Sequence, residues 1–226
     1  MQPEKPYHLF LTGTDTGVGK TLFGAALLRA WRRLGLPAVG LKPIATGSRE
    51  DALCLQEGAG TEVALCEINP FFFRAPEAPA LAAQDEGRKL SLPEVVGRVQ
   101  HLLQKFPFAL VEGVGGWRTP LTQTESVSDL AMGLGLPVVV VALCRLGVFN
   151  HTLLTVESVR AAGLTPLGIL LNGFAEPSEK TRIQTAALLH RQTELPVATF
   201  REASELVCHP PHWLLPTHCR EKDEVK

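Results

Sequence analysis

The chain has 226 residues, 45% of them hydrophobic and 20% charged, and a formal net charge of -1 with acids and bases interspersed. That length suits one α/β domain that buries a full sheet under helices on both faces, and the near-neutral balance offers no basic footprint for nucleic acid and no polybasic run for a membrane surface. No apolar run reaches the ~18–20 residues of a membrane span, and Met1-Gln-Pro-Glu-Lys-Pro6 lacks the basic start and apolar core of a targeting segment. Five scattered cysteines without a C-x-x-C pair fit a reducing, cytoplasmic setting.

The first predicted element is an apolar strand, Leu9-Phe10-Leu11, that runs into Thr12-Gly13-Thr14-Asp15-Thr16-Gly17-Val18-Gly19-Lys20-Thr21. Small residues between a strand and a helix let successive backbone N–H groups point into one concavity, at the positive end of the helix dipole. Lys20 is placed to reach the outer phosphates of a nucleotide and the Thr21 hydroxyl to sit on Mg2+. Counted back from Gly19, the first position of G-x-x-x-x-G-K-[ST] is Thr14, with Gly13 one residue too early, so the loop is a variant of that pattern. A structural glycine turn is the bland alternative.

Phe23, Ala26, Leu27, Ala30, Trp31 and Leu34 then share one helical face, and Gly35 with Pro37 ends the helix. Ala38-Val39-Gly40-Leu41 is a buried strand, completing a right-handed βαβ unit. It ends in Lys42-Pro43, where Pro43 keeps Lys42 extended. A lysine at the carboxyl end of a strand beside the phosphate loop faces the nucleotide, unless it is simply solvated. Asp51 opens a helix and is either a functional acid or an N-cap. Asn69 to Pro79, with Phe71, Phe72 and Phe73, reads as a packed loop near a substrate mouth, or as plain core.

A helix from Ser91 to Gln104 buries Val95, Val96, Val99, Leu102 and Leu103. The strand Phe108-Ala-Leu-Val-Glu112 ends in an acid, as does a strand that presents a carboxylate to Mg2+. Glycines at 113, 115 and 116 then allow close backbone approach to a ligand. The second half continues in alternation: strand 137–143, helix 150–162, strand 166–171 before Asn172, helix 179–192 and strand 196–200. The fold class is a doubly wound, mostly parallel sheet flanked by helices, one phosphate-loop nucleotide-binding domain over residues 1–226. The tail, with Cys208, His209, His212, His218 and Cys219, has no standard zinc spacing.

Several separated pieces together resemble the dethiobiotin synthetases: Thr12 to Thr21, Gly40-Leu-Lys-Pro-Ile-Ala-Thr-Gly47, Asp51-Ala-Leu-Cys-Leu-Gln56, Asn69-Pro70, Glu112-Gly-Val-Gly-Gly-Trp-Arg-Thr-Pro-Leu121 and Leu146-Gly-Val-Phe-Asn-His151. The resemblance implies ATP-dependent carboxylation of 7,8-diaminononanoate by CO2, through a carbamate and its mixed anhydride with phosphate, in a cytoplasmic homodimer. By the same resemblance Lys20 and Lys42 stabilise the transferring phosphoryl group and the carbamate, and Thr14 to Thr21 bind ATP. Thr21, Asp51 and Glu112 hold Mg2+. Thr16 and Thr46 line the diamine and carbamate region, the Gly115 and Gly116 amides approach the substrate, and Asn172 reads adenine, with Phe200 and Glu202 as further candidates at the base. Leu146, Gly147 and Asn150 form the turn that holds the partner subunit's substrate by its carboxylate tail.

Two departures stand out: Gly17 occupies a position where some members carry Glu, and the fit weakens after Asn172. Competing readings are a partitioning-type ATPase, which places a second Lys where this chain has Asp15, a cobyrinate amidation enzyme, for whose glutaminase domain no room remains, and a non-catalytic nucleotide-binding module.

Overall fold

The computed structural model describes residues 6–174 and 178–220; residues 1–5, on which the targeting-segment reading falls, lie outside these. In chain order the first elements are β1 (Tyr7–Gly13), α1 (Lys20–Arg33), β2 (Ala38–Leu41), β3 (Ile44–Thr46), α2 (Glu50–Ala59), α3 (Leu65–Ile68), β4 (Phe71–Phe73), α4 (Pro79–Asp85) and α5 (Leu92–Leu103). They are followed by β5 (Phe108–Glu112), α6 (Val127–Leu134), β6 (Val138–Leu143), α7 (Val148–Ala161), β7 (Pro166–Asn172), α8 (Glu179–Thr193), β8 (Val197–Phe200), α9 (Ala203–Cys208) and α10 (Thr217–Arg220).

Six strands form one sheet in the order β2-β5-β1-β6-β7-β8, every pairing parallel. The two-residue period of the strands sorts their side chains into two layers. Leu9 and Leu11 of β1, Leu110 of β5 and Val139 and Val141 of β6 meet Phe23, Leu27 and Trp31 of α1 on one face. Phe10, Val111, Val138 and Val140 meet Val95 and Val99 of α5 and Leu130 of α6 on the other. Burial on both faces explains why these strands read as unbroken apolar runs. β1 lies between β5 and β6, so the chain crosses over in opposite directions from it, and the crevice at the carboxyl ends of the strands opens beside its loop.

Three sequence expectations change. Leu34 is half-exposed rather than on the buried face of α1. Its amide is shared between the Ala30 and Trp31 carbonyls, the tightening of a last turn, and the side chain swings off the face that Trp31 occupies. Phe71 to Phe73 form a strand rather than a loop, pairing in parallel with β3 in a separate two-stranded sheet. An aromatic run suits a pleated surface: Phe71 and Phe73 are buried, while Phe72 lies under the Arg49 guanidinium, 4.9 Å from its ring centre. Asp51 is not the cap of its helix. α2 starts one residue earlier, at Glu50, whose amide is taken by the Ser48 hydroxyl at 3.0 Å.

The segment after β8 belongs to the body of the protein. α9 and a 3-10 turn, His212–Leu214, bring Leu206, Trp213, Leu214 and Leu215 into the layer around α1. The buried Trp31 indole donates to the Leu214 carbonyl at 3.1 Å.

Candidate active site

The phosphate loop follows β1 at the middle of the sheet, and its geometry accounts for the irregular start. A Cβ on Gly13 would lie 2.8 Å from Val18 Cγ2, 2.9 Å from the Asp15 carbonyl and 3.0 Å from Lys20 Nζ. Gly13 is therefore the residue over which the loop folds back, although it falls one place before the position that the spacing assigns to glycine. Gly19, in the left-handed region at φ 97°, leads into α1, and a Cβ there would meet Asn172 Nδ2 at 2.6 Å. Lys20 is buried and donates to the Asp15 carbonyl at 3.1 Å.

Below the loop lies a chain of polar groups that span the ends of four elements, β2, β5, α1 and α2. Lys42, at the end of β2, is 2% exposed, which rules out the solvated reading. Its ammonium contacts Glu112 Oε1 at 2.5 Å, Asp51 Oδ2 at 2.8 Å and the Gly113 carbonyl at 3.1 Å, one acceptor for each of its three N–H donors. Glu112, the last residue of β5, is fully buried, and its Oε1 also accepts the Thr21 hydroxyl at 2.7 Å. Asp51, in the first turn of α2, keeps 49% of its side chain exposed and forms the solvent side of the cluster.

The electrostatics follow from burial and charge. Burial pushes the Lys20 ammonium down to about 8, the nearby Lys42 cation adding to the effect. Burial also works against the Lys42 ammonium, but Glu112 and Asp51 outweigh it and hold Lys42 above the ordinary lysine value. Burial disfavours the Asp51 carboxylate, yet Lys42 and the Thr21 hydroxyl together keep it below the usual range. The site thus holds one firmly charged cation and a second that loses its proton more readily than an ordinary lysine.

Glu112 Oε2 is buried and has no hydrogen-bond partner. An orphaned carboxylate oxygen next to a threonine hydroxyl fits a hard cation such as Mg2+. Among the described residues no group of three or more His, Cys, Asp or Glu side chains is arranged to hold a metal.

A cleft of about 400 Å3 opens over these groups, lined by Thr16, Gly17, Gly19, Lys20, Thr21, Lys42, Thr46, Asp51 and Gly115 among others. Thr14, Asp15 and Gly116 border an adjoining hollow of about 370 Å3, which Thr16 also lines. The Gly116 amide is used internally, donating to Thr119 Oγ1 at 2.8 Å. Val18 is buried, and its carbonyl accepts from Asn172 Nδ2 at 3.0 Å, while Asn172 Oδ1 accepts the Phe174 amide at 3.1 Å. Asn172 thereby ties the end of β7 to the phosphate loop and retains one side-chain N–H.

Leu146, Gly147 and Asn150, in the turn before α7 and its first residues, line neither the cleft nor the adjoining hollow. Leu146 is fully exposed, Asn150 is exposed, and Gly147 precedes the first helical residue, Val148. Phe200 packs against Phe23 with ring centres 5.8 Å apart, and Glu202 closes a capping box at the start of α9. Two contacts escaped the sequence reading. Arg145 reaches Asp15 at 3.2 Å, and the Asn69 amide donates to the Lys42 carbonyl at 2.7 Å. The Asn69-Pro70 motif was the only signal for the second.

The fold and the site define a phosphate-loop nucleotide-binding protein. A family model described as an AAA domain matches residues 7–202. The septum site-determining protein MinD from Pyrococcus horikoshii, solved with Mg-ADP, superposes with a TM-score of 0.54 at 16% identity, over 88% of this chain and 85% of that one. The cell division protein FtsY from Thermotoga maritima gives 0.51 at 15%, over 89% and 64%. These likenesses carry the fold alone. Sequence relatives are far nearer: ATP-dependent dethiobiotin synthetase BioD of Anaeromyxobacter sp. strain K is 50% identical over 81% of this chain and 86% of its own. That of Xanthomonas oryzae is 39% identical over 85% and 89%. The chain belongs to the ATP-dependent dethiobiotin synthetase family.

Proposed function

We propose that this chain, as one domain over residues 1–226, catalyses the ATP-dependent carboxylation and ring closure of 7,8-diaminononanoate with CO2 to dethiobiotin, ADP and phosphate, the penultimate step of biotin biosynthesis. The observation that carries this reading is the buried Lys42 ammonium, held between Asp51 and Glu112 under a phosphate loop, in a chain whose relatives of 39–50% identity are named dethiobiotin synthetases.

The substrate supplies both nucleophiles. One amine takes up CO2 as a carbamate, the carbamate oxygen attacks the γ-phosphorus of ATP, and the second amine displaces phosphate from the mixed anhydride to close the cyclic urea. What the protein must supply is position and positive charge. Lys20 serves the phosphoryl group from the loop side and Lys42 the carbamate and phosphoryl oxygens from the β2 side. Because all three N–H donors of Lys42 have protein acceptors, contact with substrate requires it to loosen one of them. Asp51, half-exposed, is the partner that yields, while buried Glu112 holds the ammonium in place.

Thr21, Asp51 and Glu112 would hold Mg2+, which would supply positive charge to offset that of the phosphates. Thr16 and Thr46 line the diamine end, Gly115 offers backbone to the substrate, and the remaining N–H of Asn172 reads adenine. A homodimer accounts for the fully exposed Leu146 and for exposed Leu22 and Leu154, with Leu146, Gly147 and Asn150 receiving the carboxylate tail of the partner's substrate at the start of α7. The free thiols of Cys54, Cys66 and Cys208 suit a reducing cytoplasm.

An assay with 7,8-diaminononanoate, bicarbonate and each nucleoside triphosphate tests the proposal by scoring phosphate release against urea-ring formation. The two are expected in equal amounts and only with the diamine present. Phosphate release independent of the diamine would instead mark a nucleotide switch.

A further inference from the structure

Where β2 ends, the chain leaves the six-stranded sheet for the small β3-β4 sheet, and Lys42 sits at that departure. The last pairing of β2 with β5 is Leu41 with Val111, so the Lys42 backbone takes its partners elsewhere. Its amide donates to the Ile68 carbonyl at 3.1 Å, and its carbonyl accepts the Asn69 side-chain amide at 2.7 Å. The next carbonyl, that of Pro43, accepts the Phe71 amide at 3.1 Å. Asn69 is fully buried, and its Nδ2 also points to the Phe71 carbonyl at 3.5 Å, a weak second contact.

This amide can face only one way. Turned over, its oxygen would oppose the Lys42 and Phe71 carbonyls, acceptor against acceptor. In the orientation present, Oδ1 is left without a partner, and a buried unpaired carbonyl oxygen carries a cost. The position therefore carries an imperfectly satisfied polar residue beside Lys42, where leucine would fill similar space without a polar atom.

We propose that Asn69 is a positioning residue: by holding the Lys42 carbonyl it fixes the backbone from which the Lys42 ammonium reaches between Asp51 and Glu112. The inference rests on the reading of Lys42 as a catalytic cation. Asn69 is fully buried and lines neither the cleft nor the adjoining hollow. Its effect on turnover passes through Lys42, because the side chain that swings from a displaced Cα misplaces its charge, and a misplacement of about 1 Å in a catalytic group can cost ~100-fold.

The test is a double-variant cycle on the full chain with Asn69→Ala, Lys42→Ala and the pair, measuring kcat and KM for ATP, with binding of a fluorescent ATP analogue and thermal melts alongside. Asn69→Ala is expected to lower kcat by about 10- to 100-fold with analogue affinity within about twofold, and to cause no further loss in the Lys42→Ala background. Asn69→Ser replaces Asn69→Ala if the latter is not recovered folded. Multiplicative losses, an unchanged kcat, or a fall in analogue affinity that parallels the fall in kcat would overturn the proposal, as would failure of both variants to fold, which would make Asn69 a scaffold residue. Normal turnover in Lys42→Ala alone would instead sink the reading of Lys42, a distinguishable result.

Discussion

The Lys42 ammonium and the Glu112 carboxylate lie 2.5 Å apart, both buried, and join the ends of β2 and β5. Burial makes the Glu112 carboxylate depend on this ammonium, so removing Lys42 leaves it poorly compensated. Lys42→Ala is expected to lower turnover at least ~100-fold, the scale of losing one preorganised charge at a transition state, with little change in ATP affinity. It should also destabilise the protein by about 3–5 kcal/mol, as the loss of one partner from a buried pair does. Adding Glu112→Gln removes the stranded charge, and the double variant should regain stability in urea denaturation yet stay inactive. Near-wild-type turnover in Lys42→Ala would remove the residue from the mechanism.

Lys20 gives the site a pH dependence. Burial and the neighbouring Lys42 cation hold its ammonium down at about 8, and an anionic phosphate placed against it would raise that value. The sign follows: below 8 the cation is already formed and binds phosphate at full strength, whereas above 8 a proton must be taken up first. Nucleotide affinity should therefore decline as pH rises from 7 to 9, with net proton uptake on binding near pH 8. Calorimetric titration in two buffers of different ionisation enthalpy measures this uptake. Identical heats in the two buffers would exclude it.

Asp51 is the half-exposed member of the cluster, and the roles proposed for it are to assist Mg2+ and to release Lys42. Asp51→Ala is expected to raise the Mg2+ concentration required for half-maximal phosphate release while leaving the fold intact, since α2 takes its N-terminal bond from Ser48 and not from Asp51. A metal titration that superposes on wild type would show that Asp51 serves only as a counter-charge to Lys42.

The main sheet was legible because its strands are buried on both faces and read as unbroken apolar runs, Val138 to Leu143 above all. The site was legible as residue types at strand ends: Lys42, Glu112 and the glycine loop each follow an apolar run directly. What stayed hidden depends on contacts across the chain. The pairing of Phe71–Phe73 with Ile44–Thr46 is local to neither segment. α6, only eight residues long, is fixed by a capping box between Ser126 and Asp129 rather than by a long periodic stripe. The role of Gly13 is visible only once Lys20 folds back over it. The packing of the tail was hidden for the same reason, since its burial is done by Trp213, Leu214 and Leu215 against α1, far away in the chain.

That tail yields the last prediction. The Trp31 indole, buried in α1, donates to the Leu214 carbonyl, and the Tyr7 hydroxyl donates to the Trp213 carbonyl at 3.0 Å, so the segment after α9 is held to the first helix and first strand by two long-range bonds. Trp31→Phe keeps most of the aromatic volume but leaves the Leu214 carbonyl without its donor, an unsatisfied buried acceptor that costs ~1–3 kcal/mol. Urea denaturation should show a lower midpoint with an unchanged slope if the tail still unfolds with the body, and ATP-analogue binding should be retained because the phosphate loop lies at the opposite end of α1. If the tail contributes nothing to the body, the midpoint will not move, and its packing against Trp31 is incidental to stability.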